Sequence, residues 1–377
     1  MADTGSFDDI KIRRPALASS FLGLLRGQPG RPLALFAPRR VGKTYFLDQD
    51  LTPAARAGGL LPVYADVWLH RTAPLEAINH ALEEALDDAT VPTSRAQRAA
   101  RTPVKKLAAL GASVELGDAP KRRSLPTAPE LRLDALVVRL AAAAGRPVLL
   151  MIDEIQALGE HSQGTAIIGT LRAVLQKRKR EVLAVFTGSS QEALASMVAA
   201  AGGPMYQFAQ LLDFPVLGDE YLKKLAAHFG RVHRGKQPAL ADLRRAFERI
   251  GFKPALMKDL VKAMSADGVI DVDAAMARWV RDDRQVAGWQ ALLTGVPALE
   301  RGLLQALAQG QPPLGQATLA SLGSAVGAPV TIAKVRAALD RLQRAGILTK
   351  PGGRHLIEDR LFAEHLSTLA LSRRRAF

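Results

Sequence analysis

Residues 32–48, PLALFAPRRVGKTYFLD, govern how the rest of the chain is read. Leu33-Ala34-Leu35-Phe36 is an apolar run too short for a helix and bounded by prolines, as a buried strand would be. Tyr45-Phe46-Leu47-Asp48 then opens a helical pattern. Between them, Ala37 to Thr44 has the spacing of a phosphate-binding loop, with alanine where the strict form carries its first glycine. Every position there has a physical task. Pro38, Arg39, Arg40 and Val41 form a loop whose successive backbone N–H groups converge at a helix N-terminus, and Gly42 allows close backbone approach. Lys43 adds a point charge, and the Thr44 hydroxyl is placed for a magnesium shell. Ala37 fits wherever φ is negative, since alanine tolerates a positive φ poorly.

A second strand-like run, Val148-Leu149-Leu150-Met151-Ile152, ends in Asp153-Glu154. Acids at the end of an apolar strand downstream of such a loop assign Asp153 to the magnesium shell and Glu154 to polarising a water. A third run, Val182 to Phe186, leads into Thr187-Gly188-Ser189-Ser190. Ser189 is a candidate sensor of the terminal phosphate or the attacking water. The same serine would also serve as an ordinary helix cap for the residues from Gln191 onward.

Leu61 to Val67 and Leu211 to Val216 complete five strand candidates. Helical patterns over Pro74–Asp87, Leu131–Ala144 and Thr165–Arg178 separate them, and this alternation predicts a parallel sheet covered on both faces. Residues 88–129 break the rhythm. They carry Arg95, Arg98, Arg101, Lys105, Lys106 and Lys121-Arg122-Arg123, with one strand-like piece at Ala112–Leu116. This insertion is either a solvated basic loop or a nucleic-acid contact.

After Gly218 the pattern is helical: Glu220–Phe229, Leu240–Ile250, Ala255–Met264 and Val272–Val280. From Val296 it changes again, with helices over Glu300–Ala308, Ala317–Val326 and Ile332–Ala345. Gly346 to Ile357 follows as two short strands around Pro351-Gly352-Gly353, which reads as a wing. Ile332, Val335, Leu339 and Leu342 are spaced to face a core. Lys334, Arg336, Arg341 and Arg344 are then left outside, with Lys350 and Arg354 on the wing, a surface suited to DNA and its phosphates. None of the outward positions is Asn or Gln, the usual adenine readers, so the expected DNA contact has low sequence specificity. A protein-docking role for the same module is the alternative.

The 377 residues suffice for more than one core, and 48% hydrophobic with 23% charged content is globular. No apolar stretch is long enough for a membrane span. The N-terminus lacks a basic start followed by an apolar run, so cytoplasmic localisation is expected. The absence of cysteine excludes disulfides and thiolate chemistry, and the seven histidines form no His-Glu-x-x-His pattern. A net charge of +15 points to an acidic partner, most simply nucleic acid.

With Pro-Arg-Arg-Val-Gly-Lys-Thr at 38–44, Ile-Asp-Glu-Ile-Gln at 152–156 and Thr-Gly-Ser-Ser at 187–190, the chain resembles the archaeal-type ATPases, a branch of the AAA+ and STAND P-loop proteins. The resemblance implies an α/β fold with sheet order 5-1-4-3-2, a helical lid and a C-terminal winged helix-turn-helix. It divides the chain into an ATPase core (1–217), a lid (218–290) and the winged helix (291–377). The family's Gly-Asn-Pro lid motif is Gly251-Phe252-Lys253-Pro254 here, which brings Lys253 forward as a phosphate contact. Its Pro-Leu-Tyr-Gly-Arg segment is Pro204-Met205-Tyr206-Gln207-Phe208, so Phe208 stands where an arginine would stabilise transition-state charge. Slow hydrolysis, or an arginine from elsewhere such as Arg39 or Arg40, is the consequence.

The expected function is an ATP- and magnesium-binding switch ATPase acting on or near DNA, with self-association or a protein partner compatible. The alternatives are a non-hydrolysing nucleotide-binding adaptor that recruits a protein, and a DNA-binding regulator with a vestigial P-loop.

Overall fold

The computed structural model describes residues 6–36, 38–70, 72–90, 124–160, 163–188, 194, 197–198, 205–281, 283–350 and 353–375. Ala37, Ser189 and the basic run from Arg95 to Arg123, with its strand-like piece Ala112–Leu116, lie outside the described residues.

The five expected strands form one parallel sheet: β1 (Leu33–Phe36), β2 (Leu61–Asp66), β3 (Val148–Asp153), β4 (Val182–Gly188) and β5 (Gln210–Asp213). Their order is β2-β3-β4-β1-β5, the expected 5-1-4-3-2 read from the other edge. All six residues of β3 are buried, which explains why its sequence is continuously apolar rather than alternating. On one face, α1 (Pro15–Gly27) packs with the helix after the phosphate-binding loop, around Phe21, Leu25, Phe46 and Leu51. That second helix starts as α2 (Lys43–Phe46), widens into a π turn over Leu47–Leu51 and continues as α3 (Thr52–Ala57). On the other face lie α4 (Pro74–Thr90), α5 (Pro129–Ala144), the short α6 (Ala157–Glu160) and α7 (Gly164–Lys177). Pro129 starts α5, where its missing N–H is harmless, and Gly145 ends it with φ +64°.

The chain continues through α8 (Asp219–Val232), α9 (Leu240–Arg249), α10 (Pro254–Asp267), α11 (Val272–Val280) and α12 (Asp283–Thr294). It ends in α13 (Ala298–Ala308), α14 (Gln316–Val326), α15 (Ile332–Arg344), the antiparallel pair β6 (Leu348–Thr349) and β7 (Leu356–Ile357), and α16 (Arg360–Arg375). From Tyr221 to Leu366 these elements share one continuous hydrophobic core, distinct from the two that flank the sheet. Arg249 on α9 forks onto Glu364 on α16, and Arg360 donates to the Glu248 carbonyl at 3.1 Å. The lid and the C-terminal module are therefore packed as one body.

One sequence expectation changes, and two helices carry no expectation from the sequence. Ile332 is 47% exposed, because it lies in the first turn of α15 beyond the core seam; Val335, Ala338, Leu339 and Leu342 are the buried set. Helix α12 was missed, its pattern being weak around Gly288. Helix α16 was also missed, although Asp359 announces it: its carboxylate accepts the N–H groups of Leu361 (3.0 Å) and Phe362 (3.3 Å). Among the described residues no helix is long and apolar enough to cross a membrane.

A shared core predicts shared unfolding. Leu260→Ala in α10 and Leu339→Ala in α15, both buried, should each cost about 2–5 kcal/mol and shift the same denaturant transition. Two separately moving transitions would show that lid and C-terminal module fold independently.

Candidate functional site

Strand β1 lies between β4 and β5, so its carboxyl end opens into the crevice where parallel α/β sheets hold ligands. Two left-handed residues shape the loop that leaves it, Arg40 with φ 67° and Gly42 with φ 97°. At Arg40, a non-glycine residue in this region marks a constrained backbone. Gly42 caps α2, and Lys43 is only 7% exposed. The Lys43 ammonium donates to the Gly188 carbonyl at the end of β4, at 3.1 Å. Burial pushes its pKa down, with Glu154 and Asp153 pulling the other way.

Asp153 ends β3 and is 6% exposed. Its Oδ1 accepts the Thr187 hydroxyl and the Glu154 N–H (3.0 Å). Its Oδ2 accepts the Tyr64 hydroxyl at 2.8 Å and that of Thr44 at 3.4 Å. The two residues assigned to a magnesium shell, Thr44 and Asp153, are therefore neighbours, and their hard oxygens suit that ion. Tyr64 was not anticipated. It sits on β2 opposite Met151, and the parallel register carries its hydroxyl forward to Asp153. Burial and then Asp153 raise its pKa, so the phenol remains a donor. Glu154 has φ 54°, and the Gln156 amide donates to its carboxylate.

Phe208 is buried among Met205, Leu194 and Met197, and the Arg172 guanidinium of α7 lies over its ring, 5.4 Å from the centroid. Arg39 stacks on Trp68 at 5.2 Å, and Arg40 lines a cavity beside the loop. Lys253, 7% exposed, precedes Pro254 at the start of α10.

That cavity has a volume of about 230 Å³. Its walls are Ile10 and Ile12 of the N-terminal strap, Val41, Tyr221 and Pro254, with Lys258 at the edge. The strap is tied down twice: Phe7 packs on His228 with ring centroids 4.1 Å apart, and Asp8 pairs with Lys258 (3.0 Å) and Lys262 (2.9 Å). Motif spacing could not reveal this pocket, because its walls come from three distant parts of the chain.

The six cations assigned to DNA do not stay together. Arg336, Lys350 and Arg354 line one groove of about 940 Å³ between α15, the wing and the turn before α14. Lys334 is exposed at the start of α15. Arg344 is exposed at its end, bonded to the Asp340 carbonyl at 3.3 Å. Arg341 is held by the buried Glu300 at 2.6 Å, a structural ion pair.

No protein-family model and no curated protein sequence matches the chain. Solved structures do. The Walker-type ATPase PABY2304 of Pyrococcus abyssi is similar over 96% of this chain and 99% of its own, at 14% identity and a TM-score of 0.57. The ORC2 protein of Aeropyrum pernix, in its ADPNP–ADP complexes, is similar over 98% of each chain, at 16% identity and a TM-score of 0.51. The chain shares the fold of these two structures. At these identities the likeness is one of architecture. Loop residues Arg40, Val41 and Gly42 line the strap cavity, and the next two, Lys43 and Thr44, meet Gly188 and Asp153 at the ends of β4 and β3.

The strap clamp has a defined pH range. Lys262 and Lys258 hold the Asp8 carboxyl at about 2, below its usual 3.8. A lowered carboxylate pKa stabilises above the unfolded value and loses that contribution as pH falls through the folded one. The difference in thermal midpoint between wild type and Asp8→Asn should thus stay constant from about pH 8 to 5 and narrow only below about pH 4. A difference that vanishes by about pH 6 would assign the clamp to another group, such as His228.

Proposed function

We propose that the protein is an ATP-binding switch ATPase of AAA+ type that works on or near DNA. The observation that carries this reading is the convergence of Lys43, Thr44 and Asp153 at the mouth of β1. Residues 38–44 would cradle the phosphates on backbone N–H groups, with Lys43 neutralising them. The apolar strap cavity would take the base, since it adjoins the cradle and has aromatic and aliphatic walls. The Thr44 hydroxyl and the Asp153 carboxylate would hold magnesium, which supplies charge neutralisation on the phosphates.

Glu154 is the residue for orienting and polarising the attacking water, and Gln156 holds its carboxylate in place. Thr187 and Tyr64 fix the Asp153 carboxylate from two sides. Residues 1–217 would thus bind nucleotide, 218–290 close over it, and 291–377 meet DNA. The DNA reading is supported by the groove lined by Arg336, Lys350 and Arg354 and by the net charge of +15. A slow or absent turnover, with the protein acting as a nucleotide-gated adaptor, is the second reading. It is favoured by one observation, the buried Phe208 where the resemblance places an arginine.

Magnesium-dependent ATP hydrolysis with and without double-stranded DNA tests these readings. Turnover should rise with DNA and fall at least about 100-fold in Lys43→Ala and Glu154→Gln. Equal turnover in the two variants and wild type would overturn the assignment. ATP binding that requires Lys43 but yields no turnover would establish the adaptor.

A further inference from the structure

The Asp153 carboxylate is held more completely than an acid at a strand end needs to be. A carboxylate has about four lone-pair positions on its two oxygens. Among the described residues four donors take them up: Thr187 and the Glu154 N–H (3.0 Å) at Oδ1, and Tyr64 (2.8 Å) and Thr44 (3.4 Å) at Oδ2. Thr187 is fully buried on β4, Glu154 directly follows β3, and Tyr64 belongs to β2, so three of the four donors are fixed by the sheet. Thr44 is the exception. Its bond is the longest, and its hydroxyl, at the start of α2, is itself assigned to the ion. When that hydroxyl turns to a metal, Oδ2 regains one lone pair, and Tyr64 still holds the other.

Register explains why the donor on this side is a phenol. The residue paired with Asp153 across the parallel ladder is Asp66, and its Oδ1 accepts the Trp68 N–H at 2.8 Å. Tyr64 lies two residues earlier, on the same face of the strand, and is long enough to reach forward to Asp153. Strand β2 therefore meets Asp153 with a hydroxyl donor.

Ions differ in what they require of such a carboxylate. Magnesium demands near-octahedral geometry and keeps much of its own water, whereas calcium accepts flexible geometry and takes more carboxylate oxygens, often in pairs from one group. An Asp153 pinned at both oxygens, with one lone pair to offer, matches the first ion and not the second.

We propose that Tyr64 is a positioning residue that selects the metal: its hydroxyl restricts Asp153 to one aimed lone pair and thereby favours magnesium over calcium. The inference rests on the nucleotide reading above and adds ion selectivity to it. Without the Tyr64 hydroxyl, Oδ1 stays anchored by Thr187 and the Glu154 N–H, while Oδ2 is free to shift and gains a second lone pair. The shift costs magnesium, which needs the aim, and the extra lone pair serves calcium. Both effects move the preference the same way. Partners that orient a metal-ligating group from behind are worth about 10- to 100-fold in metal affinity.

Calorimetric titration of a non-hydrolysable ATP analogue into the full chain, once in magnesium chloride and once in calcium chloride, tests this for wild type, Tyr64→Phe and Tyr64→Leu. Thermal unfolding establishes that each variant is folded; Tyr64 is exposed, and Phe keeps its ring. In both variants affinity with magnesium should fall about tenfold, and affinity with calcium by less than about threefold. Equal losses with the two ions, or a magnesium-to-calcium ratio in Tyr64→Phe within about twofold of wild type, would overturn the selectivity role and leave the nucleotide site standing. A loss confined to Tyr64→Leu would overturn it too, since the ring and not the hydroxyl would then matter. If wild type binds the analogue with neither ion, the nucleotide reading fails and the proposal falls with it.

Discussion

A lysine ammonium buried at the mouth of the central strand organises its surroundings. Lys43 is nearly inaccessible, and an uncompensated buried cation is costly, so the groups around it are those that make the charge tolerable. Among the described residues they include the Gly188 carbonyl at the end of β4 and, at the end of β3, Asp153 and Glu154. The last two are anionic. The same electrostatic demand draws the chain's own carboxylates to the mouth of β1.

The sheet order supports this concentration of charge. With β1 between β4 and β5, and β3 one strand further on, the ends of β1, β3 and β4 open on the same edge. Asp153 is then fixed by Thr187 from β4 and Tyr64 from β2, so its two oxygens are oriented by neighbouring strands rather than by a mobile loop. Positive φ values fall at Arg40 and Gly42 in the loop and at Glu154 just past β3. Backbone strain of this kind persists only where the surrounding packing over-determines it.

Much of this was legible in the residues themselves. The five strands announced themselves as short apolar runs, and the Gly-Lys-Thr and Asp-Glu motifs fell at two strand ends that the topology places near each other. What could not be read depends on register and on long-range approach. The Tyr64 hydroxyl reaches Asp153 only because β2 and β3 pair with Tyr64 opposite Met151. The strap cavity needs Ile10, Val41 and Tyr221 to meet, and no local pattern encodes that. Periodicity puts Arg341 on the outer face of its helix but does not give its partner, Glu300, 41 residues earlier.

The most direct test of the nucleotide crevice is a crystal structure of the protein with a non-hydrolysable ATP analogue and magnesium. Phosphate density on the amides of residues 39–44, the base between Ile12 and Tyr221, and metal density at Thr44 and Asp153 is the result predicted. Analogue density elsewhere, or none while Lys43 keeps its bond to Gly188, would contradict it.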